Sequence, residues 1–148
     1  FAVSQGADFT INYSEQNIKE QVNHITQKRG VDIVYECVGG NIFDQCSKSM
    51  AWNGRLLIVG FAGGVIPKFP VNLALVKGYS VVGVFWGAFT LHEPKVFQQN
   101  MQDLFGWLSH GDVTVHVDKH YTLANTPQEL HDLNHRKAKG KLIIMPSA

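Results

Sequence analysis

The chain has 148 residues, of which 45% are hydrophobic and 17% charged, and its formal net charge is +1. That balance describes about one ordered globular domain with a core of useful size, and it excludes a disordered polar segment. It also excludes the electrostatic footprint of a nucleic-acid binder, and the sequence shows neither an apolar run of membrane length nor a secretory signal at its start.

In chain order, Phe1 to Gln5 read as the tail of a helix that Gly6 closes in a left-handed cap. The opening Phe-Ala-Val-Ser, in place of Met, suggests a piece of a longer protein. Residues 9–12 read as a short strand with Tyr13 at its carboxyl end. Ser14 is the expected N-cap of a helix in which Ile18, Val22 and Ile25 recur at helical spacing, through about Lys28.

The stretch from Val31 to Gly64 organises the rest. Val31-Asp32-Ile33-Val34-Tyr35-Glu36 runs into Cys37-Val38-Gly39-Gly40, a helix is expected from about Ile42 to Trp52, and Arg55-Leu56-Leu57-Ile58-Val59 runs into Gly60-Phe61-Ala62-Gly63-Gly64. Two apolar β-branched runs separated by a helix mark a β-α-β unit of a buried parallel sheet. Ligands of open α/β sheets sit outside the carboxyl ends of the strands, and glycines there admit a flat ring or a phosphate close to the backbone. A nucleotide-type ligand is therefore expected against Val38, Gly39 and Gly40 and against Gly60, Phe61 and Ala62.

Beyond Gly64, the prolines at 67 and 70 forbid a central strand, residues 72–77 form a short helix stopped by Gly78, and residues 80–87 read as a β-branched and aromatic strand. An amphipathic helix follows over 94–109, capped by Gly111. The tail reads as a strand at 113–117, an extended piece at 121–123, a helix begun by Pro127 and a last strand at 141–145. The fold class is thus α/β, a parallel sheet whose strands alternate with helices, followed by a smaller α/β appendage.

Cys37 and Cys46 are the two cysteines. Both read as buried free thiols in a reducing compartment, since neither a C-x-x-C pair nor a four-cysteine zinc pattern is present. His116 and His120 lack a supporting carboxylate, so no metal site is expected. No serine stands in a nucleophile elbow.

Several motifs, in order, carry a family resemblance: Gly-Ala-Asp-x-x-Ile-Asn-Tyr at residues 6–13, Gly-Val-Asp-Ile-Val-Tyr-Glu at 30–36, Gly-Arg-Leu-Leu-Ile-Val-Gly-Phe-Ala-Gly-Gly at 54–64, Ile66-Pro67, Pro70-Val71-Asn72, residues 81–87 and Gly140-Lys141. The chain resembles the medium-chain dehydrogenase/reductase superfamily, and within it the zinc-independent quinone oxidoreductase branch, over essentially its whole length. The resemblance implies hydride transfer from NADPH to a quinone or enone-type small molecule. It places Tyr13 near the adenosine 2′-phosphate and the backbone of Val38, Gly39 and Gly40 beside the nicotinamide ribose. Gly60, Phe61 and Ala62 fall along the nicotinamide and its carboxamide, with Val84, Phe85 and Trp86 on the neighbouring strand. Arg136 is a further candidate for a phosphate contact.

The resemblance further implies that residues 1–111 are a partial NAD(P)-binding domain, an incomplete Rossmann-type parallel sheet with helices on both faces, whose first strands and Gly-x-Gly-x-x-Gly fingerprint lie upstream. Residues 112–148 would then return to a GroES-like catalytic domain. It implies a homodimer paired along residues 80–85. The two free cysteines suit a cytoplasmic location, with the mitochondrial matrix as the alternative. No catalytic acid or base is identified. Two other readings stay open: a non-catalytic dimerisation and partial cofactor-binding piece, and a nucleoside-cofactor methyltransferase, against which the helix at 94–109 argues.

Overall fold

The computed structural model describes residues 1–146; the last two positions of the expected 112–148 segment lie outside them. The chain is α/β and divides by compactness into two units, Ala2–Ala88 and a second made of Phe1 with the residues from Phe89 onward. Compactness is a different criterion from the one behind the 111/112 division that the resemblance implies.

In the first unit a 3₁₀ turn at Val3–Gln5 ends on Gly6 with φ 99°, the left-handed cap expected there. Residues 9–12 are not a strand. No strand lies beside them among the described residues, and a lone extended segment has no ladder to join. The chain bends instead: Asn12 Oδ1 accepts from Ser14 N–H at 3.2 Å and Gln16 Oε1 from Asn12 N–H at 2.9 Å. Helix α1 (Ile18–Ile25) starts at Asn17 rather than Ser14, because the Asn17 side chain accepts from Glu20 N–H at 3.1 Å. It stops short of Lys28, since Gln27 and Lys28 adopt left-handed φ of 53° and 67°.

Strand β1 (Val31–Glu36), helix α2 (Gly40–Ser47), strand β2 (Met50–Ile58), helix α3 (Asn72–Lys77) and strand β3 (Ser80–Gly83) follow. The three strands form one parallel sheet in the order β1-β2-β3, with Val34 opposite Leu56 and Leu56 opposite Val81. The helix expected to Trp52 ends at Ser47, and Met50, Ala51 and Trp52 belong to β2. Ser47 and Ser49 hydroxyls donate back to the Asp44 and Gln45 carbonyls at 2.9 and 2.7 Å, while Val31 N–H donates to Ser49 O at 3.0 Å. Sheet pairing thus takes the chain just after the helix, and Met50 becomes buried beside Leu56. The core joins Phe43, Met50, Leu56 and Tyr79, with Phe69 edge-on to Phe43 at 5.9 Å between ring centroids.

β1 is less covered than a buried parallel strand should be. Ile33 and Tyr35, alternate residues on one face, are 63% and 68% exposed.

Helix α4 (Trp86–His92) spans the division between the units. In the second unit, α5 (Pro94–His110) closes on Gly111, φ 83°. The strand expected at 113–117 forms later, as β4 (Val117–Thr122), because Asp112 and Val113 N–H groups still donate to Trp107 O at the helix end. After a 3₁₀ turn at Leu123–Asn125 come α6 (Thr126–Asn134), with proline in its first turn as expected, and β5 (Lys141–Met145), parallel to β4. Asp132, on α6 and 5% exposed, ties these elements together. Its carboxylate accepts from Tyr121 O–H at 2.8 Å, Gln128 Nε2 at 3.0 Å and Lys119 Nζ at 3.2 Å.

Candidate functional site

The parallel strands set the site because they all end on one side. β2 and β3 each pass one residue beyond their last pair: Val59 N–H donates to Glu36 O at 2.8 Å and Val84 N–H to Ile58 O at 2.9 Å. Past those bonds the chains part and leave a cleft of about 340 Å³, lined by Ile58, Gly60, Phe61, Gly83, Val84 and Phe85. Its walls are largely apolar, and it lies at the carboxyl ends of β2 and β3, where such sheets take ligands. A larger hollow between α1 and α2, about 520 Å³, is lined by amide and charged side chains including Lys19, Glu20, Asn41 and Lys48.

The structure brings two of the expected backbone segments together. Ala62 N–H donates to Cys37 O at 2.9 Å, Gly63 N–H to Val38 O at 2.8 Å, and Gly40 N–H to Val65 O at 3.0 Å. The loop holding Val38, Gly39 and Gly40 is therefore tied to the loop holding Gly60, Phe61 and Ala62. Gly39 has φ 82°, and a Cβ there would stand 2.5 Å from Val65 O, so this glycine is required by the approach of the two loops.

Gly60 and Gly83 differ. Neither has positive φ, a Cβ on Gly60 would meet only Cys37 O at 3.8 Å, and a Cβ on Gly83 would meet nothing within 4 Å. The fold does not need glycine at either position, and both open onto the cleft.

Val84 and Phe85 line the cleft, but not from a strand. β3 ends at Gly83 because β2 ends at Ile58 and offers no further carbonyl; Trp86 then begins α4. The strand expected over 80–87 is thus half that length. Tyr13 stands in a turn, 42% exposed, not at a strand end. Cys37, expected to be buried, is exposed at the end of β1, while Cys46 on α2 is half-buried. Burial, with the Glu36 charge adding to it, pushes the Cys46 thiol up to about 11.

One residue escaped the sequence reading. Glu36, 2% exposed, accepts from Val38 and Gly39 N–H at 2.8 Å each. The signal was an acid closing an apolar strand directly before a Val-Gly-Gly loop.

Comparison with known proteins decides the family. A family model described as zinc-binding dehydrogenase matches residues 5–144. The chain belongs to the zinc-binding dehydrogenase family. Among curated relatives of this dehydrogenase segment, it is 36% identical over 140 residues to quinone oxidoreductase-like protein 2 homolog of Nematostella vectensis, covering 94% of the chain and 38% of that protein. It is 32% identical over 143 residues to quinone oxidoreductase-like protein 2 of Bos taurus, covering 97% and 41%. The chain thus spans about two fifths of the length of these relatives. A mycobacterial protein solved as a complex with NADPH superposes with a TM-score of 0.86 at 28% identity, over 98% of this chain and 46% of that one. Escherichia coli quinone oxidoreductase shares the fold, with a TM-score of 0.85 at 22% identity over 98% and 45%.

The family's description names zinc, but among the described residues no three His, Cys, Asp or Glu side chains gather as a metal centre needs. The described residues of this segment therefore do not fit that metal. No helix among them is long and apolar enough to cross a membrane.

Proposed function

We propose that this chain is the carboxyl-terminal part of an NADPH-dependent oxidoreductase acting on a quinone or enone-type small molecule. The supporting observation is the pair Gly60 and Gly83, which leave room on the cleft floor where neither backbone nor packing calls for glycine. The relatives' printed names, and NADPH in the mycobacterial structure, support the same reading.

When bound, NADPH supplies the hydride that reduces the substrate. In this reading Val38, Gly39 and Gly40 present backbone to the nicotinamide ribose, and Gly60, Phe61 and Ala62 lie along the ring and its carboxamide. Val84, Phe85 and Trp86 close the other side and exclude water. The Tyr13 phenol donates to the 2′-phosphate. These residues orient the reactants, and orientation alone supplies a large part of such a rate. Residues 1–111 belong to the cofactor domain and 112–148 return to the catalytic domain. The β3 edge, where Ser80 to Gly83 are all exposed, pairs with a second copy.

Calorimetric titration of the whole protein with NADPH and NADH, beside NADPH oxidation with a quinone, tests this reading. Micromolar NADPH binding, weaker NADH binding and quinone-dependent turnover are expected. A whole protein that binds neither nucleotide ends the reading. A whole protein that binds NADPH without turning over quinones or enones leaves the cofactor site and removes the substrate class.

A further inference from the structure

Glu36 closes β1 with its carboxylate buried, and burial of a carboxylate is unfavourable unless its oxygens are hydrogen-bonded. Oε1 accepts from two consecutive backbone amides, those of Val38 and Gly39, each at 2.8 Å. Oε2 is buried and has no hydrogen-bond partner among the described residues. Such an arrangement is costly for stability alone, because a well-packed apolar side chain would leave no orphaned oxygen.

The two amides lead into α2, whose N-cap is Gly39 and so has no side chain with which to cap. Glu36 instead holds the N–H groups of the two residues that enter the helix, and its charge suits the positive end of the helix. The effect spreads along the backbone. Holding Val38 fixes the carbonyl that receives Gly63 N–H, and holding Gly39 fixes Gly40, whose N–H reaches Val65 O. One carboxylate thus sets the loop at residues 38–40 and, through it, the loop at 60–65.

We propose that Glu36 is the positioning residue of the cofactor cleft: its carboxylate clamps the Val38 and Gly39 amides and so holds both glycine loops in the shape that receives NADPH. This rests on the functional reading above and deepens it. Glu36 acts through the backbone and not on the reacting atoms.

The test uses Glu36→Ala and Glu36→Gln in the whole protein. KM for NADPH and kcat are measured separately, and hydrogen exchange is followed at Val38 and Gly39. Glu36→Ala should raise KM for NADPH at least tenfold, keep kcat within threefold and speed exchange of both amides. Glu36→Gln retains an acceptor at Oε1 and should bring KM back to within threefold of the parent. A folded Glu36→Ala with the parent's KM, or a kcat loss as large as the KM rise, overturns the proposal.

If Glu36→Ala does not fold, Glu36→Met decides. It fills a similar space but offers neither amide an oxygen acceptor, so KM should rise at least threefold, and an unchanged KM overturns the proposal. A parent protein that binds no NADPH defeats the functional reading instead. The exchange measurement still judges the clamp in that case, and unchanged exchange at Val38 and Gly39 overturns it.

Discussion

Gly60→Ala separates a glycine kept for a ligand from one kept for the fold. The new methyl carbon would sit about 1.5 Å from Cα. Its one neighbour, Cys37 O at 3.8 Å, is at ordinary contact distance, and the backbone needs no positive φ. Folding should therefore tolerate the change, and the stiffer unfolded chain should add about 0.4–1 kcal/mol of stability. A ring lying about 3.5 Å over this backbone would have to withdraw by about 1.5 Å. Each heavy-atom contact is worth about 0.1–0.2 kcal/mol, so losing about a dozen of them costs about 1.5–2 kcal/mol. That corresponds to a ten- to thirtyfold rise in the NADPH dissociation constant. Calorimetry on the whole protein measures the binding and thermal melting the fold. Gly39→Ala is the contrast, since a Cβ 2.5 Å from Val65 O should lower melting and binding together. A Gly60→Ala protein that melts like the parent and binds NADPH within twofold of it would refute the placement of the ring on this floor.

Other outcomes follow from the packing and the charges. Gly78→Ala would drive a Cβ into the Trp52 ring at 2.3 Å from a position with φ 65°, so chemical denaturation should show a loss of about 1–3 kcal/mol. A maleimide at pH 8 should label Cys37 in the native protein and spare Cys46 until denaturant is added. With its thiol pushed up to about 11, Cys46 is ionised at roughly one part in a thousand at that pH. In the second unit, the hydrogen bonds from Tyr121 and then Lys119 hold the Asp132 carboxyl below the usual carboxylate range. A depressed folded pKa gives stability that is present above the ordinary carboxylate value and is lost as pH falls through the folded one. Asp132→Asn should therefore lower the melting temperature at pH 7, and the gap from the parent should shrink in acid; a gap constant with pH would contradict this.

The central β-α-β was legible because its signal is local. Val31 to Glu36 and Arg55 to Ile58 are apolar β-branched runs that few other contexts would hold, and the glycines after them mark the strand ends. Boundaries set by partners were not legible. Residues 9–12 have strand character, but a strand needs a ladder. Residues 80–87 stop pairing at Gly83 only because β2 ends at Ile58, which no property of Val84 to Gly87 announces. Met50 continues the helical apolar spacing of Phe43 and Cys46, and sheet pairing overrode that periodicity. In the site, the glycines could be read but their two different reasons could not, since those depend on whether Val65 O or open space faces the absent Cβ. Glu36 was missed because an acid at a strand end is ordinarily solvated, and only the turn of the chain over it reveals two amides to hold.

The three-stranded order β1-β2-β3 leaves β1 as one border of the sheet and β3 as the other, and β1 presents Ile33 and Tyr35 beside its border. A polypeptide of these 148 residues expressed alone would offer two templates for strand addition. It could join copies through either, or alternate between them into open-ended chains, because a head-to-tail contact that does not close propagates. Its apparent mass would then report competition between two borders. The stoichiometry of the native protein has to be measured on the whole polypeptide, with a β3 substitution that spares β1 as the discriminating control.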